Sequence, residues 1–374
     1  MTVLTLNSGS TSVKLALYDV GEHQALRRLD AEQHTGSGLD PRPLLAALAA
    51  RLPAPPQAIA HRVVHGGTRF TQPARIDATV LAAIEELAPL APLHNPAALR
   101  WIRAALEVWG DVPQAAVFDT AWFAGLPRRA AEYALAADIG VDLGVRRYGF
   151  HGLAHEAMWR AWCRLHPELD AGGRLITLQL GGGCSITAIS RGRPLDTSMG
   201  FSPLEGLVMA TRSGDIDAAV VPYLQQRLQL SAEQVIALLN ARGGLAGLSG
   251  TAQNPTELLR DASPQARFAL ELYCYRIRKY VGAYLAVLES CDGIVFGGGV
   301  GEHVAEVRAA ALGGLAWAGI ELDPALNAAA RGGDVHIHAA RAAVKVCVVS
   351  TNEEAVLARA AAALADGVSG KARA

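Results

Sequence analysis

The strongest constraint on the fold is a pattern that occurs twice. Residues 2–8 (TVLTLNS) alternate and are β-branched, the polar run Asn7-Ser8-Gly9-Ser10-Thr11-Ser12 follows, and residues 13–20 (VKLALYDV) alternate again. Strand, tight Gly/Ser turn and strand read as a β-hairpin. Residues 175–180 (LITLQL) likewise run into Gly181-Gly182-Gly183, then a strand over 184–190 and a turn at Arg191-Gly192-Arg193. Two glycine-tipped hairpins, one early in each half, point to a duplicated architecture, although no repeat of the residues themselves accompanies them. A chain of 374 residues also exceeds what one core carries, so two domains are expected.

Composition excludes several classes. The hydrophobic fraction is 51% with 18% charged residues, as in a globular protein with ample apolar material. A net charge of -1 offers no footprint for nucleic acid or an anionic membrane, so neither is expected as a partner. Cys163, Cys184, Cys274, Cys291 and Cys347 are scattered, odd in number and without CxxC spacing, which fits a reducing cytoplasm and argues against a disulfide framework or zinc site. No basic n-region precedes the first strand, and no apolar run reaches the roughly 20 residues of a membrane span.

Several segments could carry chemistry. The first hairpin turn presents hydroxyls and amides in a concave array that can nest an anion, with Lys14 just inside the second strand; a plain polar tip looks the same. The strand over 57–65 (QAIAHRVVH) places Arg62 and Val64 on one face, where they could hold a carboxylate head and its short tail, or simply face solvent at an edge. Helices are expected at 42–52 and 77–90, and after Asn95 as N-cap with Pro96 in the first turn; Leu93 and His94 precede that cap. A strand over 114–119 ends at Asp119, the strand end where site residues of α/β folds collect. A helix is expected at 127–137. In the stretch 196–217, Arg212 lies in a glycine-punctuated turn beside Asp215, which suits gripping an anion with a forked guanidinium; an ordinary surface ion pair is the alternative. Helices are expected at 232–241 and 264–290. A strand over 292–296 then runs into Gly297–Glu302, read as a glycine loop before a helix over 303–318 and so as a phosphate cradle or a plain tight turn. A last strand over 344–349 leads to a helix with Glu353 and Glu354 in its first turn.

Together, NSGSTSVK, HRVVHGG, APLHNPA, AVFDTA, RRYGFHG, DTSMGFSPLEGLVMATRSGDID, GGGVGE and STNEEAVLA occur in an order that resembles the acetate kinase family, of the actin, hexokinase and sugar-kinase superfamily. The resemblance spans residues 3 to about 365. It implies an α/β, two-domain, duplicated ribonuclease H-like (actin/hexokinase-type) fold with mixed sheets flanked by helices. It further implies a cytoplasmic homodimer that moves the terminal phosphoryl group of ATP reversibly to acetate or another short-chain carboxylate. Asp119, His151 and Arg212 match catalytic positions. Arg62, Val64, Leu93, Phe150 and Pro203 match the carboxylate and alkyl pocket. Asn7 and Glu353 match ligands of Mg²⁺, with Mn²⁺ as an alternative. Ser10, Ser12, Lys14, Gln179, Gly181, Gly182, Gly183, Asn254, Thr256, Gly299, Val300, Gly301, Glu302 and His303 match the nucleotide and phosphate positions. An N-terminal domain over 1–146 is expected, completed by a C-terminal helix at 352–367. A nucleotide-side and dimerisation domain is expected at 147–351, and a disordered tail at 368–374.

The departures gather on the nucleotide side. The family's HLGNGAS loop here reads Gln179 to Ser185 (QLGGGCS), so a neutral amide replaces a histidine. The family's Asp-x-Arg is Asn254-Pro255-Thr256, and His303 replaces an asparagine. Trp122-Phe123 stands where the family has a histidine, and Gly152-Leu153-Ala154-His155 replaces GTSH. A different acyl acceptor such as propionate, a different donor such as pyrophosphate, or a catalytically silent binding homologue are therefore the alternative readings.

Overall fold

The computed structural model describes residues 1–9, 12–36, 38–92 and 94–371; the expected site residues Ser10 and Leu93 lie outside them. The chain divides into two compact units. The first comprises Met1–Ala124, Phe150–Ala157 and Asn352–Ala374, and the second Gly125–Gly149 and Met158–Thr351. The boundary expected at 146/147 therefore falls inside a segment grouped with the second unit.

The first unit holds a six-stranded sheet built from β1 (Thr2–Ser8), β2 (Ser12–Val20), β3 (Leu26–Thr35), β4 (Ala58–Val63), β5 (Ala74–Arg75) and β6 (Gln114–Phe118), in the order β3-β2-β1-β4-β6-β5. Strands β1 to β3 form an antiparallel meander; β4 runs parallel to β1, β6 parallel to β4, and β5 antiparallel to β6. Period-two alternation buries both faces. On one face Val3, Ala60 and Val117 pack on Leu357 and Ala361 of the helix Glu353–Lys371. On the other, Leu4, Leu6 and Ile59 meet Leu45 and Trp101 of the helices Pro41–Arg51 and Asn95–Val108.

The second unit repeats this plan strand for strand. It is built from β7 (Arg174–Leu180), β8 (Cys184–Ser190), β9 (Arg193–Thr197), β10 (Gly293–Gly297), β11 (Val335–His336) and β12 (Lys345–Val348). Its order is β9-β8-β7-β10-β12-β11, with the antiparallel and parallel pairings in the same places. The duplication expected from two hairpins extends to all six strands of each sheet.

Four local expectations need correction. Residues 127–137 form only a helical turn at Arg128–Ala131, because Glu132 then bridges to Arg146 and Tyr133 bonds Glu205. The glycine run after β10 is not a loop: Gly298–His303 is itself helical, with Ala305–Leu312 following. Thr351 Oγ1 accepts from the Gly298 amide at 3.0 Å and stands in for a capping side chain that glycine lacks. The helix preceded by His94 starts at Asn95, whose side chain caps nothing in that helix. The last helix runs to Lys371, past the expected end at 367 and into the expected disordered tail. No helix among the described residues is long and apolar enough to cross a membrane.

Candidate active site

Parallel pairing of β4 with β6 aligns Arg62 with Val117 and Val63 with Phe118, and the Asp119 amide donates to the Val63 carbonyl at 3.0 Å. This register sets Arg62 and Asp119 side by side at the strands' carboxyl ends. Arg62 Nε lies 3.0 and 3.2 Å from the two Asp119 oxygens, and Nη2 is 2.6 Å from Oδ2, a bidentate fork. Arg62 Nη1 reaches Asn7 Oδ1 at 3.3 Å. Asn7 Nδ2 in turn donates to Glu353 Oε2 at 2.8 Å and Glu354 Oε1 at 2.9 Å. Lys14, opposite Asn7 in the hairpin, stands 4.0 Å from Glu354. Residues far apart in sequence thus close into one network, and its contacts engage three of the five N–H groups of Arg62.

Three carboxylates (Asp119, Glu353, Glu354) face two cations (Arg62, Lys14) in this network. Burial pushes the Asp119 carboxyl up; the Arg62 charge opposes it and Glu353 adds to it. Burial works against the Arg62 charge too, but Asp119, Glu353 and Glu354 outweigh it and hold the guanidinium above the usual arginine range. An excess of carboxylate around a single buried fork suits a divalent cation. The oxygens of Asn7, Glu353 and Asp119 are the hard, sparse donor set that Mg²⁺ accepts alongside retained waters. Asn7 and Glu353, expected together from the sequence, are brought together here.

His151 has a positive φ of 59°, an uncommon conformation for a residue with a Cβ, and its amide donates to the Asp119 carboxylate. Gly152 follows because nothing larger fits: a Cβ there would stand 2.1 Å from the Asp119 carbonyl oxygen. The neighbouring wall is apolar. Val64 is 5% exposed and Phe150 1%, and the Phe150 ring meets His65 edge-on with centroids 5.5 Å apart. Buried Asn95 clamps His65 by both backbone groups, accepting from its amide at 3.1 Å and donating to its carbonyl at 3.0 Å. That is the role taken by the side chain expected as a cap. Trp122 and Phe123, which replace a family histidine, pack against buried His155, whose pKa burial holds well below the usual value, with the His151 charge acting the same way.

In the second unit, Arg212 is not paired with Asp215. Its guanidinium donates to the Pro203 carbonyl at 3.2 Å, and burial lowers its pKa. Asp215 instead accepts from the Gly206 amide and the Tyr280 hydroxyl, both at 2.8 Å. The Arg212 segment is joined to the glycine turn of β7–β8, since the Ala210 amide donates to the Gly182 carbonyl at 3.1 Å. The Gly298 helix abuts the same turn, because a Cβ at Gly298 would meet the Leu180 carbonyl at 2.5 Å and Gln179 Nε2 at 2.8 Å. The expected positions Arg212, Pro203, Gln179, Gly181–Gly183 and Gly299–His303 are therefore neighbours. Gln179 Oε1 is buried with no hydrogen-bond partner. Glu302 Oε1 is spent on the Thr351 amide at 3.1 Å. Asn254 and Thr256 sit on an exposed turn, where Asn254 Oδ1 caps the Thr256 amide at 2.9 Å. Ser12 closes the first hairpin turn through its carbonyl, which accepts from the Gly9 amide at 2.7 Å.

Sequence reasoning missed Glu354, Arg147 and Arg308. Arg147 donates to Glu205 at 2.6 Å, and Glu205 also takes the Tyr133 hydroxyl, which fixes the chain over 198–205. Fully buried Arg308 donates to the carbonyls of Gly301, Glu302, Asn327 and Ala330 and to the Asn327 side chain, so it braces the end of the Gly298 helix; burial lowers its pKa to about 10. A lone arginine in the alanine-rich run 305–312 was the available signal.

A family model described as the Acetokinase family matches residues 48–359. An acetate kinase of Streptomyces coelicolor is 43% identical over 387 aligned positions, which cover 95% of each chain. The acetate kinase of Porphyromonas gingivalis superposes with a TM-score of 0.86 at 34% identity, covering 97% of this chain and 99% of that one. A propionate kinase of Francisella tularensis subsp. tularensis gives 0.87 at 31% identity with the same coverage.

Proposed function

The chain belongs to the acetokinase family and is a phosphotransferase with a carboxyl group as acceptor, and on that premise we propose that it transfers the terminal phosphoryl group of ATP reversibly to acetate, with Mg²⁺, giving acetyl phosphate and ADP. The observation that carries this reading is the network around Arg62. Asn7, Arg62, Asp119, His151 and Glu353 come from five separate motifs and meet through hydrogen bonds.

The chemistry follows from charge. Acetate is ionised at pH 7, so no general base is needed to make the nucleophile. A carboxylate oxygen forms a bond to the γ-phosphorus while the bond to the β–γ bridging oxygen breaks, and that electron pair leaves on ADP. The protein has to hold the partners in line and offset the negative charge in transit. Arg62, through the N–H groups its fork does not use, Arg212 and His151 do this. Asp119 holds the Arg62 fork in place, and Asn7 and Glu353 with Asp119 would ligate Mg²⁺, which when bound neutralises phosphate charge. Val64, Phe150 and Pro203, with Leu93, take the methyl group. In this reading the nucleotide phosphates are the ligands of Gln179, the glycine turn, Lys14, Ser10, Ser12 and residues 299–303, and its base and ribose those of Asn254 and Thr256. The working form is a cytoplasmic homodimer.

A second reading concerns the substrates. The propionate kinase of similar likeness, and a methylene worth only about 1–3 kcal/mol in an apolar pocket, favour some turnover of propionate. The unpartnered Gln179 oxygen, where the family has a histidine, keeps pyrophosphate in view as donor. Trapping of acyl phosphate with hydroxylamine, over acetate and propionate against ATP and pyrophosphate, decides among them. Hydroxamate with acetate, ATP and Mg²⁺, lost by orders of magnitude in Arg212→Ala, supports the proposal. No hydroxamate with any pair, from a folded chain, rejects it in favour of a silent homologue.

A further inference from the structure

Two histidines and a cysteine meet at the edge of the second sheet, among residues that phosphoryl transfer does not use. Antiparallel pairing of β11 with β12 sets His336 opposite Cys347, and His336 Nδ1 lies 3.0 Å from Cys347 Sγ. His166, just after the helix Gly152–Leu165, brings its ring centroid to 5.1 Å from that of His336. One ligand atom from each of the three lies within 4.8 Å of the others. Zinc–nitrogen and zinc–sulfur bonds of about 2.0 and 2.3 Å put tetrahedral ligand atoms about 3.5 Å apart, so small shifts suffice to seat an ion.

A second observation points the same way. His166 Nε2 is buried without a hydrogen-bond partner, on a side chain 5% exposed. Its other nitrogen, Nδ1, lies 3.0 Å from Glu168 Oε1, and Lys345 donates to the same carboxylate at 2.8 Å. Lys345 Nζ is also 3.1 Å from Nδ1; when Nδ1 carries its proton for Glu168, the ammonium is left to the carboxylate. A carboxylate that holds one imidazole nitrogen protonated and leaves the other for a metal is the usual outer support of a histidine ligand. A buried polar atom with no partner calls for an occupant. His336, on an exposed strand, gives the ion a route from solvent.

We propose that His166, His336 and Cys347 bind one zinc ion, with water in the fourth position and Glu168 orienting His166. The cysteine proton leaves to solvent on binding. The ion ties the chain after the helix to the β11–β12 edge and stabilises that edge.

Cobalt titration of the chelator-stripped full-length protein tests this. Expected are one Co²⁺ per chain, a thiolate-to-cobalt charge-transfer absorption, and its displacement by Zn²⁺. Cys347→Ser abolishes the absorption. His336→Ala, on the exposed strand, and Glu168→Gln each weaken binding by about tenfold or more. Zinc raises the thermal midpoint of the wild type but not of Cys347→Ser. The proposal is overturned if no stoichiometric cobalt is taken up, if the absorption survives in Cys347→Ser, or if His336→Ala binds cobalt as tightly as the wild type.

Discussion

Arg62→Lys keeps the charge at the centre of the site and removes its geometry. The native guanidinium makes three contacts with Asp119, at 2.6 to 3.2 Å, and one with Asn7 at 3.3 Å. A lysine offers one nitrogen where the guanidinium engages three, so two charge-assisted hydrogen bonds are expected to be lost. At about 1.5–3 kcal/mol each, the gross loss is about 3–6 kcal/mol. The Arg62 side chain is 15% exposed, so water can enter beside a lysine, and Asp119 keeps the His151 amide. The lower end, about 3 kcal/mol, is therefore expected, or about 10²-fold in kcat/KM. Hydroxamate formation with acetate, ATP and Mg²⁺ measures the effect, with circular dichroism to show that the chain is folded. A folded variant within about threefold of wild type would refute the claim that the fork, not the charge alone, organises the site.

Gly152→Ala forces a Cβ to 2.1 Å from the Asp119 carbonyl oxygen and 3.0 Å from Trp122 Cβ. It is expected to cost about 1–3 kcal/mol in urea unfolding and to lower kcat by displacing Asp119. Asn95→Ala leaves the buried amide and carbonyl of His65 without their partner and should destabilise by about 2–4 kcal/mol in the same assay. Burial holds His61 and His65 at about 4, below the unfolded value near 6.5. Neutral in the native state, they contribute stability that is present above pH 6.5 and lost as pH falls toward 4, by up to about 3 kcal/mol each. Unfolding free energy followed over that range should show this acid limb, and His61→Gln should make it shallower; a flat profile would contradict it.

Much of this arrangement was legible because strands announce themselves by alternation. The hairpin over 2–20, the strand ending at Asp119 and the strand carrying Arg62 could all be read from local pattern. Their partnership could not, because Arg62 and Asp119 are 57 residues apart and only the register of β4 on β6 joins them. Asn95 has the sequence signature of a cap, but buried backbone groups of His65 outcompete the helix for its amide. Residues 127–137 have the composition of a helix, yet the Tyr133–Glu205–Arg147 cluster takes hold of the chain after one turn. The duplication was visible only at its two hairpins. The remaining equivalent strands share pairing and sense without sharing residues, and backbone pairing leaves no residue signature.

Arg62 and Asp119, joined by three contacts, work as one unit. The most direct test is a double-mutant cycle in kcat/KM over wild type, Arg62→Lys, Asp119→Asn and the double variant. The double variant is expected to lose no more than the worse single variant, because each change already breaks the same fork. Losses that multiply would show two independent residues and contradict it.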